Sequence, residues 1–209
     1  MSEEMFAAAH QALSAFARGL QRGHGDDEGV AEVVERLGRQ DLSQPAFQAP
    51  EPNRLGACRH LPQAVAAAIM VDSSLAAAIA ALEDGLDWRQ TPGYSDAAMG
   101  QAGFMDNYAH ADIIGPAGCF PGDDFRLGLL LLGPGLHYRD HCHPAPELYW
   151  PLTGPSDWKR GGGEFVRRQA GKPIWHGPRV VHATQTGPAP LLAVYVWTRD
   201  VDEPAKLVG

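Results

Sequence analysis

Apolar positions in the first hundred residues recur with helical spacing. Phe6, Leu13, Phe16 and Leu20 lie three, four and seven apart, and Val30, Val33, Val34 and Leu37 continue the pattern up to Gly38. An alanine-dense stretch from Ala64 to Ala81 carries Val65, Ile69, Leu75, Ile79 and Leu82, spaced to form one buried face. The Pro-rich segment Pro45 to Pro52 separates the second pattern from the third. Beyond residue 100 the apolar runs shorten to Phe125–Leu132, Glu147–Leu152, Glu164–Arg168, Ile174–Trp175, Val180–Thr184 and Leu191–Thr198, punctuated by Gly and Pro. Short strands with turn residues between them predict an antiparallel sandwich or barrel. The expected fold is mainly β, with an α-helical region over residues 1–100 packed on a barrel over residues 101–209.

Composition narrows the setting. The 209 residues are 44% hydrophobic and 20% charged, as in a globular protein with a full core. A net charge of -8 argues against nucleic acid or an anionic membrane as the main partner. The three cysteines, Cys58, Cys119 and Cys142, form no CxxC and are odd in number, which fits a reducing compartment. The acidic start Met1-Ser2-Glu3-Glu4 lacks the basic segment of a secretory signal, and the apolar runs are too short to span a bilayer, so a cytoplasmic protein is expected.

The chemistry concentrates between Gly135 and Gly154. His141 and His143 are two apart and would share one side of a strand, with Cys142 pointing away. Glu147 and Tyr149 would share a face of the next strand, and His182 closes the set from a distant one. His141, His143, Glu147 and His182 form a nitrogen–oxygen donor set suited to one divalent transition metal ion. Iron, zinc, manganese, nickel and cobalt all suit it. His137 and His176 flank this set in sequence and could support it from behind. His110 sits in the strand-like stretch Tyr108-Ala-His110-Ala-Asp112, which could line the pocket but reads first as packing, and His10, His24 and His60 in the helical region read as surface or packing residues.

Gly135, His141, His143, Glu147 and Gly154 match every position of the first motif of the cupin superfamily, which the chain resembles. In the second motif Gly171 and His182 fit, while Gly177, Arg179 and Thr186 depart at positions that shape turns. Within that superfamily the chain is similar to the cupin-type dimethylsulfoniopropionate (DMSP) lyases, which split this osmolyte into dimethyl sulfide and acrylate. Those enzymes also carry a helical N-terminal region, and tyrosines stand at the positions of Tyr138 and Tyr149. The resemblance implies a jelly-roll fold, a metal-dependent β-elimination with Tyr138 or Tyr149 as base, and a homodimer. Strand phase sets Tyr138 against His141, so Tyr138 needs a bulge or loop to face the metal. An apolar aromatic wall would hold the sulfonium. Trp197, at a position where the family has an aromatic, together with Tyr195 and Trp175, is a candidate for it. A dioxygenase or isomerase acting on a small carboxylate, or a non-catalytic ligand-binding cupin, would use the same metal set.

Overall fold

A computed structural model describes residues 2–209. Five helices precede the sheets: α1 Ser2–His24, α2 Val30–Gly38, α3 Leu61–Ala68, α4 Ser73–Leu82 and α5 Asp96–Met99. The alanine-dense stretch is two helices, not one. The Asp72 carboxylate accepts from the Leu75 N–H at 2.9 Å and starts α4 afresh. The break turns Ile69 outward, 53% exposed, where helical periodicity alone predicts burial.

The strands are β1 Tyr108–Ile114, β2 Arg126–Leu132, β3 His137–Cys142, β4 Glu147–Pro151, β5 Ser156–Arg160, β6 Val166–Arg168, β7 Ile174–His176, β8 His182–Thr186, β9 Leu191–Trp197 and β10 Lys206–Leu207. They form two antiparallel five-stranded sheets, ordered β1-β2-β9-β4-β7 and β10-β3-β8-β5-β6. This is the cupin architecture, built as two separate sheets instead of one barrel closed by hydrogen bonds. Strand β5 has no apolar run to announce it. Its Ser156 and Trp158 are buried while Asp157 and Lys159 are half-exposed, and the polar outward residues mask the alternation.

Two apolar clusters result. In the first, helical residues such as Phe16, Leu20, Val33 and Ile79 pack with Ala109, Leu129, Leu148, Val194 and Val196 from the outer face of the first sheet. The second lies between the sheets and joins Tyr108, Leu130, Tyr149, Tyr195 and Trp197 to Leu136, Tyr138 and Trp158. Among the described residues, no helix is long and apolar enough to cross a membrane.

Candidate metal centre

Both sheets supply the site. Strand β3 brings Tyr138 and His141, β8 begins with His182, and β4 begins with Glu147 followed by Tyr149. His143 sits just beyond the end of β3. Strand β3 pairs Tyr138 with Thr184 and His141 with His182, so three steps on β3 meet two on β8. That extra residue is a bulge. It supplies the phase change Tyr138 requires, and its ring stacks on His141 at 3.9 Å with an interplanar angle of 6°.

Each histidine is held by one ring nitrogen. His141, His143 and His182 donate through Nδ1 to the carbonyls of Arg139, Ala145 and Val180 at 2.8, 2.9 and 2.9 Å. A carbonyl can only accept, so these contacts fix the neutral tautomer and leave Nε2 with its lone pair. The Nε2 atoms of His143 and His182 lie 2.9 and 3.2 Å from the same oxygen, Glu147 Oε2. His182 Nε2 is buried and makes no hydrogen bond there. Two imidazole nitrogens and a carboxylate oxygen converging in a buried pocket need a shared cation, a proton or a metal ion, to hold them together. The donor set therefore fits a metal ion, and one ligand atom from each of the three lies within 4.8 Å of the others. His141 stands outside that trio, its ring 4.1 Å from that of His182 and 6.5 Å from that of His143.

The remaining predicted residues divide. Trp197 donates from Nε1 to Glu147 Oε1 at 2.8 Å and stacks on His143 at 4.2 Å. Tyr195 lines the same cavity and donates its hydroxyl to Asp112. Trp175 is a correction: it pairs with Leu148 on the opposite face of β4 and β7 and lies over Gly29, where any Cβ would come within 2.1 Å of the indole. Alternation places it among the helices, away from the site. His176, one residue on, does face inward and stacks on His182 at 4.2 Å, whereas His137 is exposed against Phe165.

The cavity has a volume of about 80 Å³, room for roughly half a dozen waters or one small molecule. Tyr108, His110 and Arg126 line it together with Tyr138, His141, His143, Glu147, Tyr149, Tyr195 and Trp197. Tyr94 joins from outside the sheets, its hydroxyl 3.2 Å from that of Tyr138. Sequence reasoning missed Tyr94 and Arg126 and set the Tyr108–Asp112 stretch aside as packing. Tyr108 shares strand parity with His110 and Asp112, which could have flagged it, and Arg126 is a lone charge opening an apolar strand. Tyr94 lies in a stretch with no periodicity to read.

Burial dominates the electrostatics. It pushes the Tyr138 phenol well up, with Tyr108, Tyr94 and Tyr149 adding to the effect, and the Tyr149 phenol well up, with the Glu147 carboxylate adding to it. Burial also opposes ionisation of Glu147, but a positive charge and N–H donors on the His143 and His182 side, whenever their Nε2 atoms carry protons, outweigh it and hold the carboxyl well below its usual range.

A family model described as dimethylsulfoniopropionate lyase matches residues 30–193. The DMSP lyase DddQ of Ruegeria pomeroyi is 33% identical over 115 residues, 55% of this chain and 56% of that relative, so the match spans about half its length. The crystal structure of DddQ from R. pomeroyi DSS-3 superposes with a TM-score of 0.72 at 25% identity, covering 97% of this chain and 96% of that one. A chain from the crystal structures of the DMSP lyases RdDddP and RnDddQII gives 0.70 at 19% identity, covering 96% and 100%, and shows the shared fold.

Proposed function

The chain belongs to the dimethylsulfoniopropionate lyase family, and from that premise we propose that it is a metal-dependent carbon–sulfur lyase releasing dimethyl sulfide and acrylate from DMSP. The observation that carries this reading is the convergence of His143 Nε2 and His182 Nε2 on Glu147 Oε2 beside buried tyrosines, in a cavity sized for a small molecule. His143, Glu147 and His182 would hold one divalent ion, with His141 beside them as a fourth ligand. When bound, it would act as a Lewis acid toward the substrate carboxylate and favour the phenolate of a nearby tyrosine.

The elimination asks the protein for a base. Tyr138 or Tyr149 takes the proton from the carbon next to the carboxylate. The C–H electron pair becomes the double bond, the C–S bond breaks, and dimethyl sulfide leaves neutral with its electron pair. Surroundings that raise both phenols keep them protonated when no positive charge is near, so the ligand cluster and the base depend on each other. The Tyr94 hydroxyl beside Tyr138 offers the removed proton a next carrier. Tyr108, Tyr138, Tyr195 and Trp197 wall the cavity and would receive the sulfonium, each face contributing about 0.5–2 kcal/mol.

Headspace analysis tests the reading directly. Protein loaded in turn with iron, zinc, manganese, nickel or cobalt is expected to release dimethyl sulfide from DMSP with at least one of them; no release with any overturns the substrate assignment. Replacing the base tyrosine, Tyr138→Phe or Tyr149→Phe, should lower turnover by about 10²–10⁴-fold while metal content is retained. If neither variant loses turnover, the tyrosine base is wrong.

A further inference from the structure

We propose that Arg126 anchors the substrate carboxylate and sets the preference of the cavity for anionic head groups. The inference deepens the reading above. It rests on a small carboxylate being the ligand, but not on that ligand being cleaved.

Arg126 opens β2 and pairs in register with Trp197 on β9, which places it at the cavity wall beside the metal cluster. Its guanidinium carbon lies 5.6 Å from the centre of the Trp197 ring. The Nε is buried without a partner, and among the described residues the Arg126 side chain makes no hydrogen bond or ion pair. Arg36 makes the contrast: its Nε is also unpaired, but its Nη2 donates to the carbonyls of Asp123 and Asp124. The Asp112 carboxylate approaches the same Gly115 as Arg126, yet its hydrogen bond comes from Tyr195.

A guanidinium that is partly buried, positioned by an aromatic ring and left without an anion calls for one. Its fork of N–H donors matches a carboxylate, and the pair would be charge-assisted. Arg126 and His110 also line an adjoining cavity bounded by Trp88, Arg89 and Gln90. Arg126 therefore stands where the two spaces meet. The same charge repels a sulfonium, so it orients a zwitterion: carboxylate toward Arg126, cationic end toward the tyrosine wall.

Propionate and its neutral isostere propionamide, neither of which can eliminate, separate this inference from the lyase reading. Titrated calorimetrically into the metal-loaded full chain, propionate should bind at least about tenfold tighter than propionamide, the range of one charge-assisted pair. Arg126→Gln should weaken propionate by about tenfold while leaving propionamide within about twofold of its value in the unmodified protein. A preference unchanged in Arg126→Gln, or absent in the unmodified protein, overturns the proposal. Should that variant fail to fold, phenylglyoxal labelling of the unmodified protein decides the matter. Propionate, but not propionamide, should slow modification of Arg126 in peptide mass spectra, and equal labelling with both overturns it. Absence of dimethyl sulfide in the headspace assay would remove the lyase reading while leaving these results standing.

Discussion

Strands β1, β2, β4 and β9 present alternate residues to two different surroundings. Toward the helices they send Ala109, Ala111, Ile113, Leu127, Leu129, Leu131, Leu148, Trp150, Leu192, Val194 and Val196, almost entirely hydrocarbon. Toward the second sheet the same strands send Tyr108, Glu147, Tyr149, Tyr195 and Trp197, with His110 and Arg126 at the cavity. Five of the eight buried side-chain atoms without a hydrogen-bond partner among the described residues belong to His110, Arg126, His176 and His182. Unmet polar capacity is costly in a buried interior, so its concentration between the two sheets marks where a ligand is expected to supply the missing partners. The outer face contributes stability through volume and area, and the inner face holds particular atoms at particular distances.

The sharpest way to break this comparison is Glu147→Gln. It removes the oxygen on which two histidine nitrogens converge. Metal content measured after dialysis should fall to near background and dimethyl sulfide release with it, while the melting curve stays cooperative. On the outer face, Leu129→Ala at a fully buried position should cost about 2–5 kcal/mol in denaturant unfolding. Turnover per folded molecule should not change; a proportionate loss of both would dissolve the division of labour. Trp197→Phe keeps a ring in the cavity but deletes the N–H that orients Glu147. Metal affinity should weaken by about 10–100-fold, the usual effect of losing a group that positions a ligand.

The smallest expected effect is in pH. Burial pulls His110 below the ordinary histidine range, near 6.5. Below that pH the unfolded chain binds a proton that the folded protein refuses, so stability falls as pH falls, by at most about 1.4 kcal/mol per unit. His110→Gln should flatten the fall in melting temperature between pH 6.5 and 5 relative to the unmodified protein. Identical slopes would show that His110 is not held neutral by the fold.

Much of this was legible along the chain. The period-two alternation of β4 and β9 separates Glu147 and Tyr149 from Leu148, and Tyr195 and Trp197 from Val196, without reference to any structure. The first-motif spacing placed His141, His143 and Glu147 close together. Alternation also holds the reason Trp175 is misplaced as a wall residue, since it sits one position out of phase with His176, the residue that does face inward. Other features were hidden because they are not periodic. The break between α3 and α4 depends on one capping carboxylate, β5 is too polar to read as apolar, and Tyr94 belongs to a segment held only by tertiary contacts.

By itself the sequence determined the element types, the two faces of the first sheet and the identity of the donor atoms, because these follow from local periodicity and side-chain chemistry. Only the tertiary structure decided which atoms meet. The bulge that turns Tyr138 onto His141 is a register shift between β3 and β8, defined by a partner strand more than forty residues away. The convergence on Glu147 needs two sheets to face each other. The solitude of Arg126 is a fact about every neighbour it lacks. Register, closure and the absence of a partner are properties of pairs of distant segments, and no local pattern encodes them.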